Sequence, residues 1–522
     1  MRNKLLFLSS AALAIGVFST VSCGGRQMKD DTYTGDKLNV SVRNLYFEEY
    51  QGGDLYLAQV EDKFGLKFDF STYEWSQWQN QISGAIAADD MTDIFHANIT
   101  SYNFANVYKF WAEEEMAKPL PDDLSAWPYL KAQIEHTSNV DSLKINGKLY
   151  GIPIFSSDTK FSPFTYVYRR DWAKKWGVYQ NNDEYTFEQF IELLEVFRDN
   201  LAPDNKYALA DVEWGFPSIP NFYKQVPHCF AQDSDGHYVN NYTTAEYVQG
   251  LEKSKNFYDN GYYYPDQNSA QAGQINTKYT SGQFGVFFEN LSYQNYYDMR
   301  SMFRQNNPTQ PQSFIDDATA IMKIKGENGK YSLEGTDNWF SMTFFDYKIS
   351  DNKMNRVLDM INWLLSPEGT RLAVYGKEGY DYKMVAGVPE IIETNWDRQP
   401  DGSFAPKQNG AKKLRYLATL SYDTLDYDPA IDKTAYNTLK SWENEMKAAD
   451  TAGNLRVLKE NKNVMWLTTP LKSLYSGQLR TNALINVQNY IIGELGSLDS
   501  YYGSFESSWG PVLDEINQTL GV

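Results

Sequence analysis

"KLNVSVRNLYFEEYQGGDLYLAQVEDKFGLKFDF", residues 37–70, decides the fold. Its first residues alternate, with Leu38, Val40 and Val42 on one face, and predict a strand. After a turn at Gly52-Gly53, Leu57, Val60 and Phe64 recur at helical spacing, and "LKFDF" alternates again through Leu66, Phe68 and Phe70. A second helical stretch, roughly 77–88, leads to the short apolar run "TDIFHA" at 92–97. A β-α-β-α-β order predicts an α/β fold built on a parallel sheet with right-handed crossovers. Ligands of such open sheets bind beyond the carboxyl ends of the strands. The residues delivered there are Asn44 to Tyr46, Ser71 to Trp75 and His96 to Tyr102, rich in aromatic and amide side chains.

Upstream, Arg2 and Lys4 precede an apolar stretch from Leu5 to Val21, the layout of a secretory signal over residues 1–22. Ser22-Cys23 resembles a bacterial lipoprotein lipobox, with Thr20 where that pattern usually has leucine. The resemblance implies that Cys23 is lipidated and that residues 23–36 are a flexible linker holding the protein at the cell envelope, outside the cytoplasm. Cys229 then has no partner, so the fold must stand without an internal disulfide. A mature chain of about 500 residues exceeds one hydrophobic core and predicts two large lobes or several domains.

Sixty-seven acidic residues face 48 basic ones, a net charge of −19, which argues against a nucleic-acid partner. Aromatic residues make up 16% of the chain, with 39 Tyr and 13 Trp. Most must be core, but the excess favours a ligand that is stacked, such as a sugar. Catalytic patterns are missing: there is no phosphate loop, no H-E-x-x-H and no G-x-S-x-G, and the four histidines are widely spaced. No pair among the many carboxylates stands out as a glycosidase pair. The chain is therefore read as a binding protein and not an enzyme.

Further along, "INGKLYGIPIF" turns at Asn146-Gly147 into an extended segment whose Pro153 predicts an edge strand or a chain crossing. Thr186 with Gln189, and Thr243 with Glu246, predict capping boxes. Extended apolar runs recur at 281–290 and 338–345. "SPEG" at 366–369 starts a helix with Ser as N-cap and Pro at the first position. The last hundred or so residues are predicted mainly helical, with loops at "DSYYGS" and "SWGP".

In order and spacing these landmarks resemble the family 1 extracellular solute-binding proteins, receptor lipoproteins of carbohydrate ABC importers. The residues that carry the resemblance are "TDIFHAN", "NGKLYGIPIF", "YVYRRDWAKKWGV", "TFEQFIELLEVFRD", "SGQFGVFFEN", "VLDMINWLLSPEGTRLAVYGKEGYDY" and the tail from "NYIIGELGSLDSYYG". The last two point to the subgroup of LplA-like lipoproteins and alginate-oligosaccharide-binding proteins. The resemblance implies a periplasmic-binding-protein type II fold, two α/β lobes joined by a multi-strand hinge with ligand in the cleft. It places chain crossings near Phe155 to Asp158, Phe284 to Phe288 and Met342 to Phe345. The lobes implied are 37–156 plus 286–343, and 157–285 plus 344–522 with a helical extension.

It implies a monomeric receptor whose partners are a carbohydrate and ABC permease subunits served by a separate ATPase. No cofactor is implied. Relatives in the subgroup carry a calcium loop where this chain reads "RDNLAPDNKYALAD", without the D-x-[DN]-x-[DN]-G pattern, so calcium is not expected. Candidate ligand contacts are Trp75 and Trp78 by the second strand-end loop, His96, Asn98 and Tyr102 after the third strand, and Asp158 past the first crossing. Trp214 on a Gly/Pro loop, Glu289 and Asn290 after the second crossing, Trp339 before the third, and Glu378 and Tyr380 between glycines complete the set. A surface glycan-binding lipoprotein of the SusD type is the rival, but its helical-repeat build does not match the β-α-β-α-β opening.

Overall fold

Strand by strand, the chain lays down β1 (Leu38–Asn44), β2 (Leu66–Thr72), β3 (Ile94–Ala97) and β4 (Gly151–Phe155). There follow β5 (Phe164–Tyr168), β6 (Glu184–Thr186), β7 (Tyr207–Ala210), β8 (Phe230–Gln232) and β9 (Tyr238–Asn240). Then come β10 (Phe284–Asn290), β11 (Ala320–Lys325), β12 (Tyr331–Glu334) and β13 (Trp339–Phe345). These come from a computed structural model. It describes residues 36–45, 55–74, 77–98, 105–156, 160–204, 206–211, 216–265, 274–386, 388–398, 404–406, 414, 417–419 and 433–522. The signal segment, Cys23 and nearly all of its linker lie outside the described residues.

The chain divides into two units. One holds residues up to Ser156, Trp339–Trp396 and Pro406–Thr424; the other holds Ser157–Asn338, Asp397–Ala405 and Leu425–Val522.

The first unit's sheet runs β2-β1-β3-β13-β4. β1 pairs in parallel with β2 and β3, while β13 runs antiparallel between β3 and β4. Leu38, Val40 and Val42 are buried as their alternation predicts. β4 is an edge strand, so Pro153 removes no ladder donor from the sheet interior. On one face Phe95 and Phe344 stack at 5.2 Å, with Trp111 edge-on to both. The helix Asp351–Leu364 buries Met354, Val357, Leu358, Ile361 and Leu364. Its Lys353 Nζ lies 3.3 Å from Asp93, both nearly sealed from water.

The second unit's sheet runs β6-β11-β5-β10-β7, with β5 antiparallel to β10 and β11 and the other adjacent pairs parallel. Helix Phe187–Leu201 opens with the Thr186/Gln189 capping box. Helix Ala245–Asp259 starts one residue later than predicted. Its cap is Thr244, because Thr243 donates to the Asn240 carbonyl and finishes the preceding turn. "DSYYGS" and "SWGP" are helical, inside Leu498–Leu520. There Tyr501, Phe505, Trp509, Val512 and Ile516 form one buried stripe, and packing of that stripe overrides Gly503, Gly510 and Pro511.

The lobe boundaries differ from the implied ones. Residues 286–338 belong to the second unit, because β10 is ladder-bonded on both sides to β5 and β7 with Phe284, Val286 and Phe287 fully buried. The glycine inside β10 marks close packing: a Cβ on Gly285 would sit 2.2 Å from the Phe197 ring. Residues 344–396 belong to the first unit, because β13 stays in register with β3 through Phe344↔Phe95 and Phe345↔Ile94. The chain therefore leaves the first unit after Ser156 and re-enters at Trp339.

Gly285→Ala tests that packing. Overpacking the interface of β10 and the Phe187–Leu201 helix should cost about 1–3 kcal/mol in urea unfolding. Wild-type stability in the variant would mean that Phe197 has room to spare.

Candidate ligand-binding site

In the first unit the carboxyl ends of β1, β2, β3 and β4 and the start of β13 form one edge. Asn44, Thr72, Ala97 and Phe155 end their strands there, and Trp339 begins β13. Asn98 follows directly and is half-buried. His96 is part of the sheet itself: fully buried, it sits opposite Thr343. Burial lowers its pKa to about 4, so the ring stays neutral and acts as a core residue. Trp339 is also core, 1% exposed, with its indole N–H donating to the Ser138 carbonyl at 3.0 Å. Trp78 begins its helix and is buried with Ile82 and Ile86. These three are corrections: large or polar side chains close to strand ends were spent on packing.

Glu378 lies away from that edge, in a surface groove with Lys63, Trp363 and Arg371. Tyr380 is exposed in the turn before Asp381, whose carboxylate accepts from the Tyr56 hydroxyl. Trp75, Tyr102, Asp158 and Trp214 lie outside the described residues.

The second unit has its own strand-end edge. β6, β7, β10 and β11 end there and β5 begins there. Glu289 and Asn290 close β10, but their polar atoms serve the chain. Glu289 accepts from the Asn290 N–H at 2.8 Å, and the Asn290 side chain accepts from Ser292 N–H at 3.1 Å as the next helix begins. Burial raises the Glu289 pKa. Beside them a small pocket is walled by Phe164, Tyr166, Phe288 and Trp442, with Asn221 and Glu334 among its polar groups.

Asp211, just past β7, organises the loop above this pocket. Its carboxylate accepts from the Ser218 N–H at 3.2 Å, from the Ser218 hydroxyl and, on its other oxygen, from the Tyr263 hydroxyl at 2.9 Å. Ser218 also bonds the Tyr166 hydroxyl on β5. The clamp holds Ser218, two residues after Phe216, against Tyr166 and Tyr263. Full burial outweighs those hydrogen bonds and raises the Asp211 pKa to about 6. On the far side Lys224 Nζ is 2.8 Å from Glu334. Burial works against the Glu334 charge, but Lys224, His228 and Arg480 outweigh it and keep its carboxyl below the usual range.

Sequence reasoning pointed to this loop through "DVEWGFP" but passed over Phe216, Ser218, Lys224, Glu334 and Arg480. The last three are far apart in sequence and carry no local pattern. Within "RDNLAPDNKYALAD", the stretch compared with a calcium loop, Asp199 pairs with Arg198 and Asp211 is the clamp. Among the described residues no group of three His, Cys, Asp or Glu side chains could hold a metal ion. What the edges offer is recognition: flat aromatic faces, amides and a few buried charges.

The sequence pattern of a bacterial extracellular solute-binding protein matches residues 56–380, more than half of the chain. The polygalacturonan/rhamnogalacturonan-binding protein YtcQ of Bacillus subtilis is 20% identical over 509 residues, covering 93% of this chain and 91% of that one. Lipoprotein LipO of the same species is 22% identical over 413 residues, 76% of each. The crystal structure of the alginate-binding protein AlgQ2 superposes with a TM-score of 0.66 at 14% identity, covering 93% of this chain and 98% of that one. That likeness gives the fold as periplasmic-binding-protein type II, in agreement with a first sheet whose fourth member returns antiparallel from the far end of an insertion.

Asp211 predicts a pH signature. Its folded pKa of about 6 exceeds the model-peptide 3.8, so this group favours folding most below both values and the benefit is lost as pH rises through 6. Between pH 4 and 7 the wild type should lose roughly 2 kcal/mol more than Asp211→Asn in urea unfolding. Parallel stability profiles would show that the carboxylate is ionised in the fold at all these pH values.

Proposed function

Since the chain belongs to the bacterial extracellular solute-binding proteins, we propose that it is the receptor of an ABC importer and that its solute is an oligosaccharide. The observation that carries this reading is the second unit's strand-end pocket, where Phe164, Tyr166, Phe288 and Trp442 surround a few polar groups. Aromatic faces cover the C–H patches of a pyranose, and amides and carboxylates engage its neighbouring hydroxyls. The strand ends of an α/β sheet are where such ligands are taken up. The names of YtcQ and AlgQ2, both polysaccharide-binding, support the same class of solute.

In this reading Cys23 is lipidated and tethers a monomeric receptor outside the cytoplasm, and LipO, a lipoprotein by name, supports the anchor. The partners are permease subunits driven by a separate ATPase. The protein binds and delivers; no catalytic step is assigned to it.

Titrating intrinsic fluorescence against panels of oligosaccharides, amino acids and peptides tests the solute class, since Tyr166 and Trp442 line the strand-end pocket. Saturable change with an oligosaccharide is expected. Saturation by an amino acid or peptide, with none by any saccharide, overturns the reading. For the anchor, Cys23→Ser should move the protein from the membrane fraction to the soluble one. If the variant still pellets with membranes, the tether lies elsewhere.

A further inference from the structure

Near Asp211 and Glu334 the second unit buries or half-buries several cations, and all but one have hydrogen-bond partners. Lys224 donates to Glu334 and to the Pro227 carbonyl. Arg456 donates to the Ser332 hydroxyl and to the carbonyls of Asn221, Tyr223 and Lys224. Lys472 is caged by the carbonyls of Met465 and Leu467. The nearby carboxylates are taken as well. Glu334 has Lys224, Glu460 has His228, and Glu515 accepts from Thr469 and the N–H groups of Leu471 and Lys472.

Arg480 is the exception. It stands on the helix Pro470–Ile491, partly buried, and its Nε is sealed from water with no hydrogen-bond partner. No carboxylate lies within ion-pair distance among the described residues, in a chain that carries 67 acidic residues. Its guanidinium lies 5.8 Å from the centre of the Phe216 ring, which in turn stacks on Tyr242 at 5.2 Å and 14°. A guanidinium is always charged and offers five donors in a fixed plane, so leaving it unpaired and half-desolvated costs stability. An aromatic face within about 6 Å attracts such a cation through the ring quadrupole. Phe216 itself belongs to the loop that leaves β7 and that Asp211 clamps, at the strand-end edge.

A planar cation beside a ring and with no ion-pair partner fits a planar anion that accepts two parallel N–H bonds. Sugar hydroxyls would give it no ion pair; a sugar carboxylate would. We propose that Arg480 is a carboxylate-binding subsite and that the solute is a uronate-containing oligosaccharide. The inference rests on the saccharide reading above and narrows it.

The full-length protein and its R480Q and R480K variants would be titrated calorimetrically with oligouronates of several sugar types, with their methyl esters and with neutral oligosaccharides. The wild type should bind one of the acids, and either esterification or R480Q should weaken it about ten- to hundredfold. The ester should bind wild type and R480Q alike, because either change removes the same pair. R480K keeps the charge but loses the fork, and should fall between them. Melting curves of the three proteins identify any variant that fails to fold, and the ester on wild-type protein tests the proposal without mutation. Equal affinity for acid and ester, or R480Q binding the acid as wild type does, overturns the carboxylate subsite. A neutral oligosaccharide bound tightly while every uronate is ignored also overturns it, yet leaves saccharide binding standing. If no saccharide of any kind binds, both readings fall together.

Discussion

The fold depends on one strand arriving late. β13 fills the gap between β3 and β4, antiparallel to both, and brings Phe344 onto Phe95 and Trp111. Until it arrives, β3 and β4 each lack a neighbour and expose a row of unpaired N–H and C=O groups. Yet β13 follows β4 only after the whole stretch 157–338, which makes up most of the second unit. The first sheet is thus completed by long-range pairing, which is slow to find because loop closure must come before any contact is gained. The same arrangement fixes where the chain passes between units. It leaves beyond the end of β4 and returns at the start of β13, on the edge where Asn44 and Asn98 also lie. Passage points and strand-end loops therefore share one edge of the sheet, and neither can be altered without the other.

Much of this was legible because it is local. The alternation of Leu38, Val40 and Val42, the Thr186 capping box, Ser366 before Pro367 and the edge strand with Pro153 each follow from periodicity or backbone chemistry within a few residues. What was not legible depends on partners far away in sequence. A glycine-flanked apolar strand such as β10 reads the same whether it crosses between units or sits in a sheet; only its pairing with β5 and β7, far off in sequence, decides. The helix through Gly510 and Pro511 shows the converse, where a buried stripe outweighs two poor helix formers. Trp78, His96 and Trp339 show a third limit. Proximity to a strand end does not say which face a side chain takes, and a shift of one residue turns a lining residue into a core residue.

Aromatic abundance was the other guide, and its main use is internal. Phe187, Phe190, Phe197 and Phe257 pack the second unit's helices onto its sheet, and Tyr279, Phe284 and Phe287 form a further cluster. Among the described residues a few, such as Phe164, Tyr166, Phe288 and Trp442, line the strand-end pocket, so composition raised the possibility without locating it. Location came instead from polar residues whose roles are structural. Asp211 ties the β7 loop to β5 and to Tyr263, and that tie gives Phe216 a fixed position over which Arg480 can lie.

The charges around that loop follow a consistent logic. A chain with a net charge of −19 could neutralise every buried cation with a carboxylate, and at Lys224 it does so. At Arg456 and Lys472 it uses carbonyl oxygens. Carbonyls satisfy the donors of a desolvated cation but carry no net charge, so the positive field is kept where a carboxylate would have cancelled it. The cost is visible at Lys472, whose pKa burial lowers to about 8, close to the point where the proton would be given up. Arg480 cannot escape in that way, because guanidinium does not release its proton in proteins. Its charge adds to a local field that the caged neighbours leave intact, against a surface that is acidic overall. That field is short in reach, screened beyond roughly 8 Å at physiological ionic strength, so it favours an anion only once the anion has reached the loop.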